Sequence, residues 1–138
     1  MSLMHPNFAH LWILAALAML ASWFWYSPRG LGGPWMRALK MERRAMDQAQ
    51  RRRLGLLLLE GLLSCYVRAL VLDALVRAFS AQTLIQGMEV GLLAWLGFTL
   101  TASLDTLWEG RPGTVLLINN ALWAFIYACT GGALAVWH

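Results

Sequence analysis

At 138 residues the chain has room for one domain, and at 59% hydrophobic and 13% charged it is far too apolar for a soluble one, where about a quarter of residues are charged. Mean hydropathy is +0.56. The net charge of +4 comes mainly from one segment between Arg29 and Arg53, so the pI of 9.7 describes a surface and not a basic fold.

The first apolar run, Phe8 to Tyr26 (FAHLWILAALAMLASWFWY), is closed by Ser27-Pro28. No basic region precedes it, and its apolar core exceeds the ~7–15 residues of a signal peptide, so an uncleaved membrane helix is expected. The loop of residues 27–53 follows, with Arg29, Arg37, Lys40, Arg43, Arg44, Arg51, Arg52 and Arg53 offset by Glu42 and Asp47. From Trp35 to about Arg53 the pattern predicts an amphipathic helix. Trp35, Leu39, Met46 and Ala49 approximate its apolar face, which Glu42 and Arg43 interrupt. Such a helix lies on the bilayer and attracts anionic lipid by about 1 kcal/mol per nearby basic residue. Aromatic interleaving and a recognisable nucleic-acid module are both missing, so no nucleic-acid partner is expected.

Three further spans are predicted: Leu54 to about Arg77, Leu84 to about Leu107, and Thr114 to Trp137. The short link around Phe79–Thr83 makes the second and third an antiparallel hairpin. Gly110-Arg111-Pro112-Gly113 turns the chain into the fourth. No stretch alternates with period two, and only helices satisfy such long runs in lipid. The fold class is therefore all-α: one membrane domain over 1–138, with four transmembrane helices (8–26, 54–77, 84–107, 114–137) and a basic amphipathic segment between the first two. The first and third loops hold the eight basic residues from Arg29 to Arg53 plus Arg111, against Arg77 alone on the other side. That asymmetry places both loops in the cytoplasm and both termini outside. Trp23, Trp25, Tyr26, Trp108 and Trp137 fall at the interfaces, while Trp12, Trp95 and Trp123 are packing residues.

Ionisable and amide groups inside the spans need partners or water. Glu60, Ser64 and Arg68 repeat every four residues and fall within about 80° on the second helix. Asp73 faces elsewhere and meets Arg77 one turn later. Depth counts at ~1.5 Å per residue bring Arg68 within reach of Glu89 across the hairpin, so an ion pair is expected there. Gly87 and Gly91 bracket Glu89 at a spacing that permits close helix approach. Glu60, Asp105, Asn119 and Asn120 collect toward the loop side, and Asn119, Trp123 and Thr130 share a face to within ~40°. Two readings stay open: interhelical hydrogen bonds, or the lining of a proton or solute cavity.

Catalytic signatures are missing: no phosphate-binding loop, no metalloprotease motif and no nucleophile with a convincing base, so no enzyme, cofactor or catalytic residue is expected. Met1, Met4, His5, His10 and His138 are soft ligands at one face, too scattered to predict a metal site. Cys65 and Cys129 lie in apolar runs and act as small hydrophobes. At Glu109–Arg111 a solvated turn with a local ion pair is expected.

Trp25-Tyr26-Ser27-Pro28 followed by Gly33, Trp35 and Met36, then Trp95-Leu96-Gly97-Phe98, then Trp108-Glu109-Gly110-Arg111-Pro112 with Leu117-Ile118-Asn119, resemble in order and spacing the bacterial family called domain of unknown function 1761. The resemblance implies a four-helix protein of the bacterial inner membrane with no assigned activity and no catalytic residues to carry over. The charge-rich second helix and the Arg-dense loop depart from the pattern. Two functions are expected to compete. The first is a non-enzymatic component, either an accessory subunit of a larger membrane complex or a homo-oligomer, with Gly87, Gly91, Ala128, Gly131 and Gly132 as contact faces. The second is a small proton- or ion-coupled transporter using Glu60 or Glu89 with Arg68.

Overall fold

The computed structural model describes residues 6–40 and 43–137, leaving aside the side chains of 43–46 and 49. Every regular element among them is a helix. In chain order these are α1 (Phe8–Trp25), α2 (Gly32–Ala38), α3 (Arg43–Arg52), α4 (Leu54–Ala78), α5 (Leu84–Leu107) and α6 (Gly113–Val136). The four helices α1, α4, α5 and α6 are each long and apolar enough to cross a membrane.

Local chemistry sets their ends. Asn7 caps α1 by accepting the His10 amide at 3.3 Å. Thr83 and Gln86 form a reciprocal capping box at the start of α5. Between α4 and α5, Ser80 takes a left-handed conformation with φ 53°, which turns the chain within Phe79–Thr83. After α1 the chain doubles back, with the Leu31 amide on the Trp25 carbonyl at 2.7 Å. A side chain at Gly32 would run into the Tyr26 carbonyl, which is why a glycine stands there.

The basic segment differs from the single helix expected over Trp35–Arg53. It is two helices, α2 and α3, and Lys40 between them sits at φ 54°, a conformation no helix can pass through. Met36, rather than the expected Leu39 stripe, is the buried anchor of α2, and Trp35 leans on Tyr26 at 5.0 Å between ring centres. Met41 and Glu42 lie outside the described residues, as do the side chains of Arg43, Arg44, Met46 and Ala49. The expected apolar face of α3 therefore has no described counterpart, while Arg37, Lys40, Arg51, Arg52 and Arg53 are exposed.

At the centre of the bundle is α6: 44% of its apolar stretch is buried, against 11% in α4 and 17% in α1 and α5. α5 packs closely along α6, while α4 packs on α1 and α6 and touches α5 less. The close pair is built on glycine. Gly87 and Gly91 of α5 lie against the Gly131 and Tyr127 backbones of α6, so the helices meet main chain to main chain. Leu11, Leu14, Leu72, Val76, Val90 and Leu134 fill one part of the core, and Ala15, Ala18, Cys65, Leu122 and Ile126 fill another.

α5 is not uniform. Its residues Trp95–Leu100 wind as a π-helix and Asp105–Leu107 as a tight 3-10 turn. Widening and tightening the spiral misaligns carbonyls, and hydroxyl side chains take them up. Thr101 donates to the Gly97 carbonyl at 2.6 Å, Ser103 to Leu100 at 2.7 Å, and Thr106 to Ser103 at 2.6 Å.

Candidate intramembrane polar site

The polar groups that the sequence places inside the spans separate into four clusters and a few exposed acids. Arg68, on α4, stands over the Trp123 ring of α6 with 4.0 Å between its guanidinium carbon and the ring centre. Its Nη1 donates to Ser64 Oγ one turn back at 3.0 Å. A delocalised cation on an indole face is attracted to the ring quadrupole, and more strongly where water is excluded. Leu14, Cys65, Ile126, Tyr127 and Thr130 complete a crevice of ≈ 10 Å³ around it, space for about one water. Trp123 and Thr130 thus share a site, as their common face implied. Asn119 does not join them.

The expected Arg68–Glu89 ion pair is not formed among the described residues. Depth alone made the two compatible, but α4 leans on α1 and α6 rather than along α5, and Glu89 is exposed on the outer side of α5. Glu60 is exposed too and pairs with nothing described, although it lies on the same open surface of α4 as Ser64 and Arg68.

At the far end of α4 and near the start of α6 the expectations fare differently. Asp73, 4% exposed, receives Arg77 Nε at 2.9 Å, the i,i+4 pair read from the spacing. Asn119 accepts the Tyr26 hydroxyl at 2.6 Å, and Trp25 Nε1 donates to the neighbouring Ile118 carbonyl at 3.2 Å. Asn120 is spent separately: its Nδ2 donates to Ser103 Oγ at 2.8 Å and to the Leu116 carbonyl at 3.0 Å. Its Oδ1 is buried without a partner, as are the indole nitrogens of Trp35 and Trp95. Asp105 is exposed at the end of α5 and joins neither asparagine. The four groups expected to gather toward the loops, Glu60, Asp105, Asn119 and Asn120, therefore line no common cavity among the described residues. Two of them fasten helices together and two face outward.

Sequence reasoning placed Tyr26 only as an interfacial ring and missed its bond to Asn119, and it missed Ser103 and the Thr99 hydroxyl that donates to Tyr127 at 2.9 Å. The sequence did carry a signal for the first. Trp25 and Tyr26 open one of the family-like motifs and Asn119 closes another, and the structure brings the two together. At the opposite end His10 stacks on Trp137 with 4.1 Å between ring centres. Met1, Met4, His5 and His138, weighed above as soft ligands, lie outside the described residues. The exposed Glu109 and Arg111 make a loose pair at 3.4 Å, worth ~0–1 kcal/mol.

A family model described as Protein of unknown function (DUF1761) matches residues 11–135. No curated protein and no solved structure matches the chain.

Proposed function

We propose, for a chain that belongs to the family described as Protein of unknown function (DUF1761), a role as a non-enzymatic component of the bacterial inner membrane that works as a subunit of an assembly. The observation that carries this reading is the direction of its unpaired charges. Glu60 and Glu89 point away from the bundle, on helices whose outward surface is otherwise mostly apolar. A charge held against acyl chains costs up to about 3 kcal/mol at mid-bilayer and less toward the edges, a cost that another protein chain removes. The glycines first read as contact faces for such a chain (Gly87, Gly91, Gly131) are already used between α5 and α6, so the outward surface of α4 is the better docking face.

The nine-to-one distribution of basic residues supports cytoplasmic first and third loops and external termini. In that orientation the exposed Arg37, Lys40, Arg51, Arg52 and Arg53 meet the anionic cytoplasmic leaflet.

The rival reading is a proton- or ion-coupled transporter with Glu60 or Glu89 as the titrating group and Arg68 beside it. A crevice with space for about one water at Arg68, and two acids on outward faces, offer one chain little in the way of a continuous path. Purified protein reconstituted in liposomes under a pH gradient is expected to add no proton flux above that of empty vesicles. Protein-dependent flux that disappears in Glu60→Gln or Glu89→Gln would establish the transporter instead.

A further inference from the structure

α4 is the least buried of the four long helices, and its outward face is an open surface of Leu56, Leu59, Leu63 and Val67 along which Glu60, Ser64 and Arg68 run. Glu60 and Arg68 are eight residues apart, ~12 Å along the axis. Glu60 has no partner among the described residues. Arg68 has spent one of its five N–H groups, on Ser64, and borders both the Trp123 crevice and the open surface. The face thus presents an acid nearer the loops and a cation deeper in the membrane, each with bonding capacity left.

A second copy offering its own α4 does not suit this face. A parallel copy related by a two-fold axis sets Glu60 against Glu60 and Arg68 against Arg68 at equal depths. An antiparallel copy would pair them reciprocally, but it must insert upside down, against the segregation of Arg29 to Arg53 and Arg111 to one side. Resting on the reading of the chain as a subunit, we infer that the outward face of α4 receives a transmembrane helix of a different protein. That helix carries a Lys or Arg at the depth of Glu60 and an Asp or Glu at the depth of Arg68, ~12 Å apart on one face, among aliphatic residues that fit between Leu59, Leu63 and Val67. The charge pattern selects partner and register together, because a slip by one turn leaves both charges unpaired in lipid.

A charge-reversed copy of the protein serves as a probe of known structure. Wild-type protein with a donor dye at its C terminus is co-reconstituted with acceptor-labelled Glu60→Arg/Arg68→Glu protein, so that a parallel pair of α4 helices is complementary at both depths. Energy transfer is expected to report association about tenfold tighter than wild type with itself, and to fall when Glu60→Gln replaces the wild-type partner. Should reversal at Arg68 spoil the contact with Trp123, the Glu60→Arg protein alone keeps the complementary pair at one depth, and it too is expected to outperform wild type with itself. Transfer between wild-type copies that equals or exceeds the mixed pair overturns the inference in favour of self-association. Absence of transfer in both mixed pairs overturns it in favour of a face that meets only lipid. Either failure removes this partner but not the subunit reading, which the assembly mass of the wild-type protein decides separately.

Discussion

Replacing Gly131 with leucine is expected to cost at least ~3 kcal/mol and to separate α5 from α6. A Cβ built at Gly131 overlaps the Gly87 carbonyl and stands 3.2 Å from the Gly91 Cα. Both obstacles are main chain and cannot rotate away, so accommodation requires the two most closely packed helices to move apart. Neighbouring glycines grade the effect. At Gly132 the two nearest obstacles are side-chain atoms, Leu84 Cδ1 at 2.8 Å and Met88 Cγ at 3.0 Å, with the Leu84 carbonyl oxygen at 3.2 Å, so Gly132→Ala is expected to cost about 1–3 kcal/mol, less than leucine at Gly131. At Gly97 nothing lies within 4 Å, and Gly97→Ala is expected to be near neutral. Reversible unfolding in mixed micelles or by steric trapping measures all three. Equal losses at Gly131 and Gly97 would show that the helices do not meet at glycine.

Arg77→Leu is expected to be the second large loss, about 3–5 kcal/mol. The Asp73 side chain is 6% exposed and Arg77 27% exposed, so removing the arginine strands the more buried partner. Asp73→Asn is expected to cost less, because the freed arginine can stretch its aliphatic stem toward the interface and keep its head in water. The double replacement Asp73→Leu/Arg77→Leu should recover most of the loss, since two apolar groups leave no charge unpaired. The same unfolding measurement checks the cycle. A double variant as unstable as Arg77→Leu alone would mean that Asp73 has a further partner.

Why one intrahelical pair was legible and one interhelical pair was not is a matter of geometry. Asp73 and Arg77 are one turn apart on the same helix, so their meeting follows from helical rise alone. Arg68 and Glu89 required knowing that α4 and α5 lie side by side, and a short connecting loop does not guarantee that. The glycine lines of α5 and α6 fit each other so closely that α5 joins α6, leaving α4 to pack mainly on α1 and α6. The spans were readable because lipid demands long uninterrupted apolar runs, whatever the helices do with their neighbours. The capping box at Thr83 and Gln86 was present in the sequence as Thr-x-x-Gln and went unread beside the louder hydropathy pattern. The π-turn of Trp95–Leu100 left only an indirect trace, the hydroxyls of Thr101, Ser103 and Thr106 that collect the displaced carbonyls.

The tie between Tyr26 and Asn119 crosses most of the chain, and neither residue alone announces the other. It explains in physical terms why two separated motifs sit where they do: one fixes the exit of α1 and the other receives it near the start of α6. The break at Lys40 escaped notice for a different reason. Lysine rarely takes a left-handed conformation, and amphipathic periodicity carries no record of one residue that does.

Whether the outward charges of α4 and α5 mark a subunit is read most directly from the mass of the native assembly. Native mass spectrometry of the wild-type protein, ejected from membrane vesicles without prior detergent extraction, is expected to give a species well above the 15.4 kDa of one chain after lipid is stripped, with an excess that is not a whole multiple of that mass. A whole multiple would keep the subunit reading but assign the contact to copies of the same chain. A population found entirely at 15.4 kDa would contradict the assembly and leave Glu60 and Glu89 to lipid alone.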